Sequence, residues 1–249
     1  FMNFNVDTLC GLFHAKAQEM GDAQPFLMGR FDGNGDPTND FRTITWREAR
    51  QMSLEFAAGL TALGIRRGDK VAIFSESRPR WIIADQGIQA AGGVEVPLYP
   101  TSSLEELVYM VGDSECKAIV CSTKDKVEMA SKVRSETQLK IVICMESLPA
   151  EREEGVYHFN EVMDMGRKAF DLAALERSID SARPEDLVSI IYTSGTTGRQ
   201  KGAMLTHGNW IAAMNQVTDP TLLRRQAQDK DLHLLFLVHL PICHVYGRT

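Results

Sequence analysis

Hydrophobic positions along the chain follow two alternating patterns. Short apolar runs, KVAIFS, VEVPL, KAIVC and KIVIC, recur between residues 70 and 144. Continuous runs of this kind are typical of strands in a parallel sheet that is covered on both faces. The intervening segments carry apolar residues at three- and four-residue steps, which indicate amphipathic helices; in 46–63 these are Ala49, Met52, Phe56, Leu60 and Leu63. The alternation predicts an α/β fold of layered, mostly parallel sheets flanked by helices, with right-handed crossovers.

Turn and cap residues place the ends of several elements. Gly64 is expected to end the helix over 46–63, because glycine readily adopts the left-handed backbone angles of a helix stop. Ser103 and Glu106 have the spacing of a capping box, which predicts that a further helix opens there. Other predictions are helices near 79–91 and over 126–135, a more polar helical region at 151–186 and a strand over 187–194.

Two further strands, PFLMGRF and FRTITW, are predicted on either side of a turn-rich segment at 32–40. The D-x-N-x-D pattern that begins at Asp32 could also open a calcium-binding loop. Such a loop requires glycine at its sixth position and glutamate at its twelfth, whereas this chain has Pro37 and Thr43 there. A plain hairpin turn is therefore the favoured interpretation.

Composition is that of an ordinary globular protein. Of the 249 residues, 44% are hydrophobic and 24% charged, and the net charge of −6 argues against a broad nucleic-acid surface. The number of cysteines is odd and no C-x-x-C pair occurs, so we expect buried free thiols in a reducing cytosol rather than a metal site; they are Cys10, Cys116, Cys121, Cys144 and Cys243.

Membrane attachment has little support in the sequence. No apolar run approaches the roughly 18–20 residues needed to cross a bilayer, and the first residues lack the pattern of a signal peptide. Arg66, Arg67 and Lys70 could form a lipid-facing basic cluster, but a solvated corner between a helix and a strand is the favoured interpretation. We expect a cytoplasmic protein.

A loop rich in glycine and hydroxyl residues follows the strand predicted over 187–194. The stretch IYTSGTTGRQKGAMLTH, at 191–207, combines glycines, several hydroxyl donors and a lysine. Glycines bring backbone N–H groups close to a ligand, and together with hydroxyls and a lysine they suit a polyphosphate. A Walker A loop needs glycine before the lysine, a hydroxyl residue after it and then a helix. Here Gln200 and Gly202 flank Lys201, and AMLT looks extended, with the next helix starting near 207–209 behind Thr206 as N-cap.

The same stretch closely resembles the phosphate-loop signature of the adenylate-forming enzymes, a family that includes acyl-CoA synthetases. The family pattern usually has proline where this chain has Gln200. GIQAAGGVEVPLYPTSS also resembles a family motif. LPICHVYGRT, at the end of the chain, is similar to the motif of long-chain fatty acyl-CoA synthetases in which His244 would precede Arg248 by four residues, although Gly247 replaces their usual glutamate.

The resemblance implies ATP-dependent activation of a long-chain fatty acid to acyl-AMP, followed by transfer to coenzyme A. By the same resemblance, Mg²⁺ would be held in part by Thr193, and Lys201 and His244 would take part in catalysis. The phosphates would lie against Thr193, Ser194, Gly195, Thr196, Thr197, Gly198 and Lys201.

Relatives of this kind are usually about twice as long or more, so the resemblance implies that 1–249 is an incomplete N-terminal AMP-binding domain. Within it, 1–182 would be a first α/β lobe and 183–249 the phosphate loop and the start of a second lobe, with the small C-terminal domain absent. We expect the chain alone to be inactive, and a long-chain substrate would allow peripheral membrane contact. Two alternatives stay open: another adenylate-forming ligase, such as an acyl-AMP ligase or carrier-protein loader, and a non-catalytic binding module that keeps the fold.

Overall fold

A computed structural model describes residues 6–23, 25–193 and 199–217. The helices in these ranges are α1 (Leu9–Met20), α2 (Trp46–Ala62), α3 (Pro79–Ala90), α4 (Leu104–Asp113), α5 (Lys124–Glu136), α6 (Phe159–Lys168), α7 (Leu172–Asp180) and α8 (His207–Val217). The strands are β1 (Pro25–Phe31), β2 (Pro37–Thr45), β3 (Lys70–Phe74), β4 (Val94–Leu98), β5 (Cys116–Cys121), β6 (Ile141–Cys144), β7 (Val156–His158), β8 (Leu187–Thr193) and β9 (Lys201–Thr206).

Seven of the described strands form one sheet in the order β7-β6-β5-β3-β4-β8-β9. Neighbouring strands from β7 to β8 are parallel, and β9 runs antiparallel to β8 at the edge. The prediction of a mostly parallel sheet flanked by helices is thereby confirmed.

Alternating side chains of the central strands fill two separate cores. In β3, Val71 and Ile73 join the core formed with α2, α3 and α6, whereas Ala72 and Phe74 join the core formed with α4 and α5. Both faces of the sheet are therefore covered, which explains why its strands are continuous apolar runs instead of alternating ones.

The hairpin predicted near the start of the chain is present as β1 and β2, which pair antiparallel outside the main sheet. Its turn is closed by the Asp32 carboxylate, which accepts hydrogen bonds from the backbone N–H groups of Asn34 at 2.8 Å and Asp36 at 3.0 Å. The hairpin-turn interpretation is confirmed, because β1 and β2 pair antiparallel on either side of this turn.

The predicted helix ends agree closely with the structure. Gly64 has a φ of 97° just beyond α2, and Ser103 and Glu106 form a complete capping box at the start of α4. The sequence patterns do not predict α1, and the three-residue strand β7 falls inside the region at 151–186 that is predicted to be helical. The corner predicted for Arg66, Arg67 and Lys70 lies between α2 and β3, where Arg67 pairs with Asp186 at 2.6 Å and Lys70 with Glu115 at 3.6 Å.

The described cysteines and helices bear on two further predictions, buried thiols and no membrane span. Four cysteines, Cys10, Cys116, Cys121 and Cys144, are free and buried as predicted, while Cys243 lies outside the described residues. Within the described ranges, no helix has the length and apolar character needed to cross a membrane. The cytoplasmic location and the division at residue 182 stay predictions.

Candidate functional site

The candidate site is built on the hairpin of β8 and β9. These strands pair from Leu187, opposite Thr206, up to Thr193, opposite Lys201. Thr193 and Lys201 are the last pair, and both side chains are exposed. The structure therefore brings together two of the predicted site residues, one on each side of the glycine–hydroxyl segment. Ser194, Gly195, Thr196, Thr197 and Gly198, and also His244, lie outside the described residues.

The strand that carries Thr193 belongs to the buried sheet. Residues 188–192 are all buried, and β8 pairs in parallel with β4 at Ser189 and Glu95. The Ser189 hydroxyl donates a hydrogen bond of 2.9 Å to Oε2 of the buried Glu95 side chain. This half of the hairpin is therefore held inside the fold, and the chain reaches the surface only at Thr193.

Gly202 explains why the residue after the lysine is not the Ser or Thr of a Walker A loop. It pairs with Tyr192 across the hairpin. A Cβ atom on Gly202 would lie 2.8 Å from Cγ2 of Ile190 and 3.2 Å from Cζ of Tyr192. Any larger residue would have to displace these buried side chains, so close packing requires glycine here. The observed β9 also confirms that the chain after Lys201 is extended.

The residues just before β9 rest on helix α4. The Tyr109 hydroxyl donates a hydrogen bond of 2.9 Å to the carbonyl oxygen of Gln200, and the Gln200 side-chain amide donates to Glu106 at 3.2 Å. The Arg199 guanidinium lies over the Tyr109 ring, 5.3 Å from its centroid, a cation–π arrangement. Gln200, the residue that departs from the family pattern, is thus fixed by both its backbone and its side chain.

The other side of the hairpin contacts the same helix. The Tyr192 hydroxyl donates a hydrogen bond of 2.6 Å to Oδ2 of Asp113, and the rings of Tyr192 and Tyr109 meet edge to face at 6.3 Å. Burial raises the pKa of Tyr192 well above its usual value, and the nearby Asp113 carboxylate raises it further. Tyr192 therefore stays a neutral hydrogen-bond donor at any physiological pH.

The far end of the hairpin is also anchored. Thr206 and Asn209 cap α8 reciprocally, with hydrogen bonds of 3.0 and 3.2 Å, as predicted for an N-cap at Thr206. The buried His207 accepts a hydrogen bond of 3.2 Å from the backbone N–H of Leu9 through Nδ1, and burial lowers its pKa. A neutral His207 can accept this bond, and it thereby links the start of α1 to the end of β9, where α8 begins.

The described part of the site offers a positive charge and a hydroxyl, two groups that suit a polyphosphate. Lys201 supplies an exposed positive charge and Thr193 an exposed hydroxyl beside it. Within the described ranges, no group of three or more His, Cys, Asp or Glu side chains could hold a metal ion. Magnesium commonly keeps waters and uses substrate phosphate oxygens, so a single threonine hydroxyl is compatible with Mg²⁺ that arrives with a nucleotide.

Sequence reasoning missed the contribution of α4. Glu106, Tyr109 and Asp113 are spaced by three and four residues, which places them on one face of the helix. Their helical spacing could have indicated a face of α4 that binds another element, but polar side chains at this spacing are equally typical of a helix face exposed to solvent. Their partners are 79 to 94 residues away in the chain, a separation that periodicity does not address.

Comparison with known proteins agrees with this architecture. A family model described as "AMP-binding enzyme" matches residues 14–249. The chain is 34% identical over 214 residues to the long-chain-fatty-acid–CoA ligase FadD15 of Mycobacterium bovis, a match that covers 83% of this chain and 32% of that protein. It is 33% identical over 217 residues to the chloroplastic long-chain-fatty-acid–[acyl-carrier-protein] ligase AEE15 of Arabidopsis thaliana, with coverage of 83% and 29%. The chain thus spans about a third of the length of these relatives.

Solved structures show the same fold. The A domain of a carboxylic acid reductase from Segniliparus rugosus, in complex with AMP and a co-purified carboxylic acid, matches with a TM-score of 0.75 at 18% identity, over 97% of this chain and 42% of that chain. ATP-bound MatB from Rhodopseudomonas palustris matches with a TM-score of 0.65 at 27% identity, over 96% and 42%. The resemblance seen in the sequence motifs is confirmed.

Proposed function

This chain belongs to the AMP-binding enzyme family, and we propose that it forms the polyphosphate-holding part of a long-chain fatty acid ligase. In the whole protein, ATP would activate the fatty acid as acyl-AMP, and coenzyme A would then take up the acyl group. The chain alone would lack this activity. The proposal is supported by the similarity to fatty acid ligases over most of the chain.

The observation that carries the proposal is the closing pair of the hairpin, Thr193 opposite Lys201, with both side chains exposed. The glycine–hydroxyl segment between them is therefore flanked by a hydroxyl group on one side and a positive charge on the other. Backbone N–H groups and hydroxyls of Ser194–Gly198 would donate to the β- and γ-phosphates. Hydrogen bonds to charged groups contribute about 1.5–3 kcal/mol each, so a few of them would offset the cost of ordering a glycine-rich segment.

The reaction places its largest charge change on the phosphates. A carboxylate oxygen would form a bond to the α-phosphorus while the bond to the bridging oxygen of pyrophosphate breaks, and that oxygen would carry away the electron pair. Lys201 would neutralise the departing pyrophosphate as a point charge. Bound Mg²⁺ would supply further charge neutralisation, with the Thr193 hydroxyl among its ligands. His244 would lie beside the acyl carboxylate or adenylate.

Loading of an acyl carrier protein is the second candidate function. It is favoured by one specific observation, the 33% identity to the AEE15 acyl-carrier-protein ligase. Both functions share the adenylating step and differ only in the thiol that accepts the acyl group. A non-catalytic binding module would perform neither step, so the adenylating step is the one to test first.

The test is carboxylate-dependent exchange of pyrophosphate into ATP by the whole protein, with Lys201→Ala as the perturbation. Loss of one charge-assisted contact worth about 1.5–3 kcal/mol predicts a decrease in kcat/KM of roughly 10- to 150-fold. Lys132→Ala, which removes an exposed lysine on α5, is the matched control and should keep the wild-type rate. Exchange that is absent, or that is unchanged in Lys201→Ala, would contradict the proposal.

The acceptor thiol is tested in a second assay. Acyl-AMP formed in place would be offered to coenzyme A and to acyl carrier protein in separate reactions, with fatty acids of increasing length. Thioester formation with coenzyme A supports the first candidate. Formation only with acyl carrier protein replaces it with the second.

A further inference from the structure

We propose that helix α4 is a positioning element for the nucleotide-binding hairpin, and that Tyr109 is its principal residue. This inference rests on the proposed function, because it assigns α4 a part in ATP binding. Tyr109 would not touch the nucleotide. It would act through Gln200, the residue directly before Lys201.

One face of α4 holds both sides of the hairpin. Asp113 accepts the hydroxyl of Tyr192, which lies one residue before Thr193. Tyr109 donates to the carbonyl of Gln200, and Glu106 accepts from the side chain of the same residue. Tyr192 and Gln200, which lie on either side of segment 194–198, are therefore both held against the same helix.

The hydrogen bond from Tyr109 acts on the backbone next to the proposed catalytic lysine. The carbonyl of Gln200 and the N–H of Lys201 belong to one planar peptide group. Fixing the carbonyl oxygen at 2.9 Å from the Tyr109 hydroxyl therefore limits rotation of the whole plane from which Lys201 starts. A small error in backbone direction is multiplied along the side chain of a lysine, so this plane sets where the ammonium lies.

Tyr109 also makes a cation–π contact with Arg199, which a residue that only fills the core would not make. Its ring is half-buried against the core formed with α4 and α5, and its outer side carries the Arg199 guanidinium. A leucine or phenylalanine would fill the same space in the core. The hydroxyl contacts Gln200 and the ring contacts Arg199, the two residues directly before Lys201. We therefore assign Tyr109 the role of positioning the backbone at Lys201.

The test compares two tyrosine-to-phenylalanine variants of the whole protein in the pyrophosphate-exchange assay. Tyr109→Phe removes only the hydroxyl and should raise the KM for ATP by about 2- to 10-fold, the range expected for one neutral hydrogen bond. The KM for the fatty acid should stay unchanged, and the melting temperature should fall by no more than the few degrees expected for the loss of one hydrogen bond. Tyr157→Phe, in β7 at the opposite edge of the sheet, is the control and should leave both KM values unchanged. Tyr109→Leu also removes the ring, and should raise the KM for ATP further than Tyr109→Phe.

The outcomes separate the two proposals. If the wild type exchanges pyrophosphate and Tyr109→Phe behaves as Tyr157→Phe does, the positioning role is overturned while the proposed function stands. If both KM values change together and the melting temperature falls, Tyr109 has a purely structural role, which also overturns the inference. If the wild type shows no exchange with any carboxylate, both proposals fail together.

Discussion

The contact between α2 and α6 makes a sharp prediction for stability, because two glycines allow the helices to meet backbone to backbone. A Cβ atom on Gly166 would lie 1.8 Å from the carbonyl oxygen of Glu55, and one on Gly59 would lie 2.0 Å from the carbonyl oxygen of Val162. Neither glycine has a positive φ, so their presence reflects space and not backbone angles. We expect Gly166→Ala to push the two helices apart.

The size of the effect follows from the overlap. Contacts under 3.0 Å essentially never occur for real Cβ atoms, so the helices must separate by about 1.2 Å, the difference between 3.0 and 1.8 Å. The partner atom is backbone and cannot rotate away. Overpacking of this kind costs typically about 1–3 kcal/mol, and the gain in helix propensity from alanine returns up to about 1 kcal/mol. The movement would also disturb the stacked rings of Phe56 and Phe159, whose centroids are 4.4 Å apart. Because the overlap is with a backbone atom, we take the upper end of the cost, about 3 kcal/mol, and after the return of about 1 kcal/mol the net loss should be about 2 kcal/mol.

Urea and thermal unfolding of the chain measure this loss. A loss of 2 kcal/mol corresponds to a melting temperature lower by roughly 4–8 °C for a chain of this size. Gly112→Ala in α4 is the matched control, because its Cβ would meet only Cγ2 of Thr137, at 3.7 Å. That variant should be as stable as the wild type or up to about 1 kcal/mol more stable. If Gly166→Ala were as stable as Gly112→Ala, the α2–α6 contact would be looser than the structure shows and the reasoning would be refuted.

Two further predictions concern titratable groups. Burial opposes ionisation of Asp36, but hydrogen bonds from the Ser147 side chain and backbone outweigh it and lower the pKa below 3.8. A lowered pKa stabilises the fold above the unfolded value, and this stability is lost as the pH falls through the folded pKa. Ser147→Ala should therefore destabilise the chain by about 1 kcal/mol at pH 7, with a smaller difference from wild type at pH 3; a loss independent of pH in urea unfolding would contradict this. Burial also raises the pKa of Cys116 to about 12, and the other described thiols are buried as well. A thiol reagent at pH 8 should therefore label at most one of the five cysteines before unfolding, and rapid labelling of two or more in the native chain would show that the core opens.

Local signals account for the parts of the fold that could be predicted. The capping box of Ser103 and Glu106 and the end of α2 at Gly64 each depend on residues within one turn of a helix. Both can therefore be predicted from a few neighbouring residues. The apolar runs of β3 to β6 are equally local, because burial on both faces removes any need for alternation. The strand β7 has only three residues, too few for a pattern. The antiparallel direction of β9 depends on the loop that precedes it, and no periodicity encodes that direction.

The candidate site shows why a motif can be found without its support. Glycines, hydroxyls and Lys201 predict a phosphate-binding segment, because the chemistry that binds phosphate belongs to these residue types themselves. The backbone orientation at Lys201 depends instead on Tyr109, whose hydrogen-bond partner Gln200 is 91 residues away in the chain. Only folding brings α4 beside the hairpin, and the contact then uses a backbone carbonyl that any residue at position 200 would offer. A proline at position 200 would keep that carbonyl, so the family's usual residue and the glutamine found here can share one support. The departure from the family pattern therefore leaves the main anchor intact and changes only the weaker contact with Glu106.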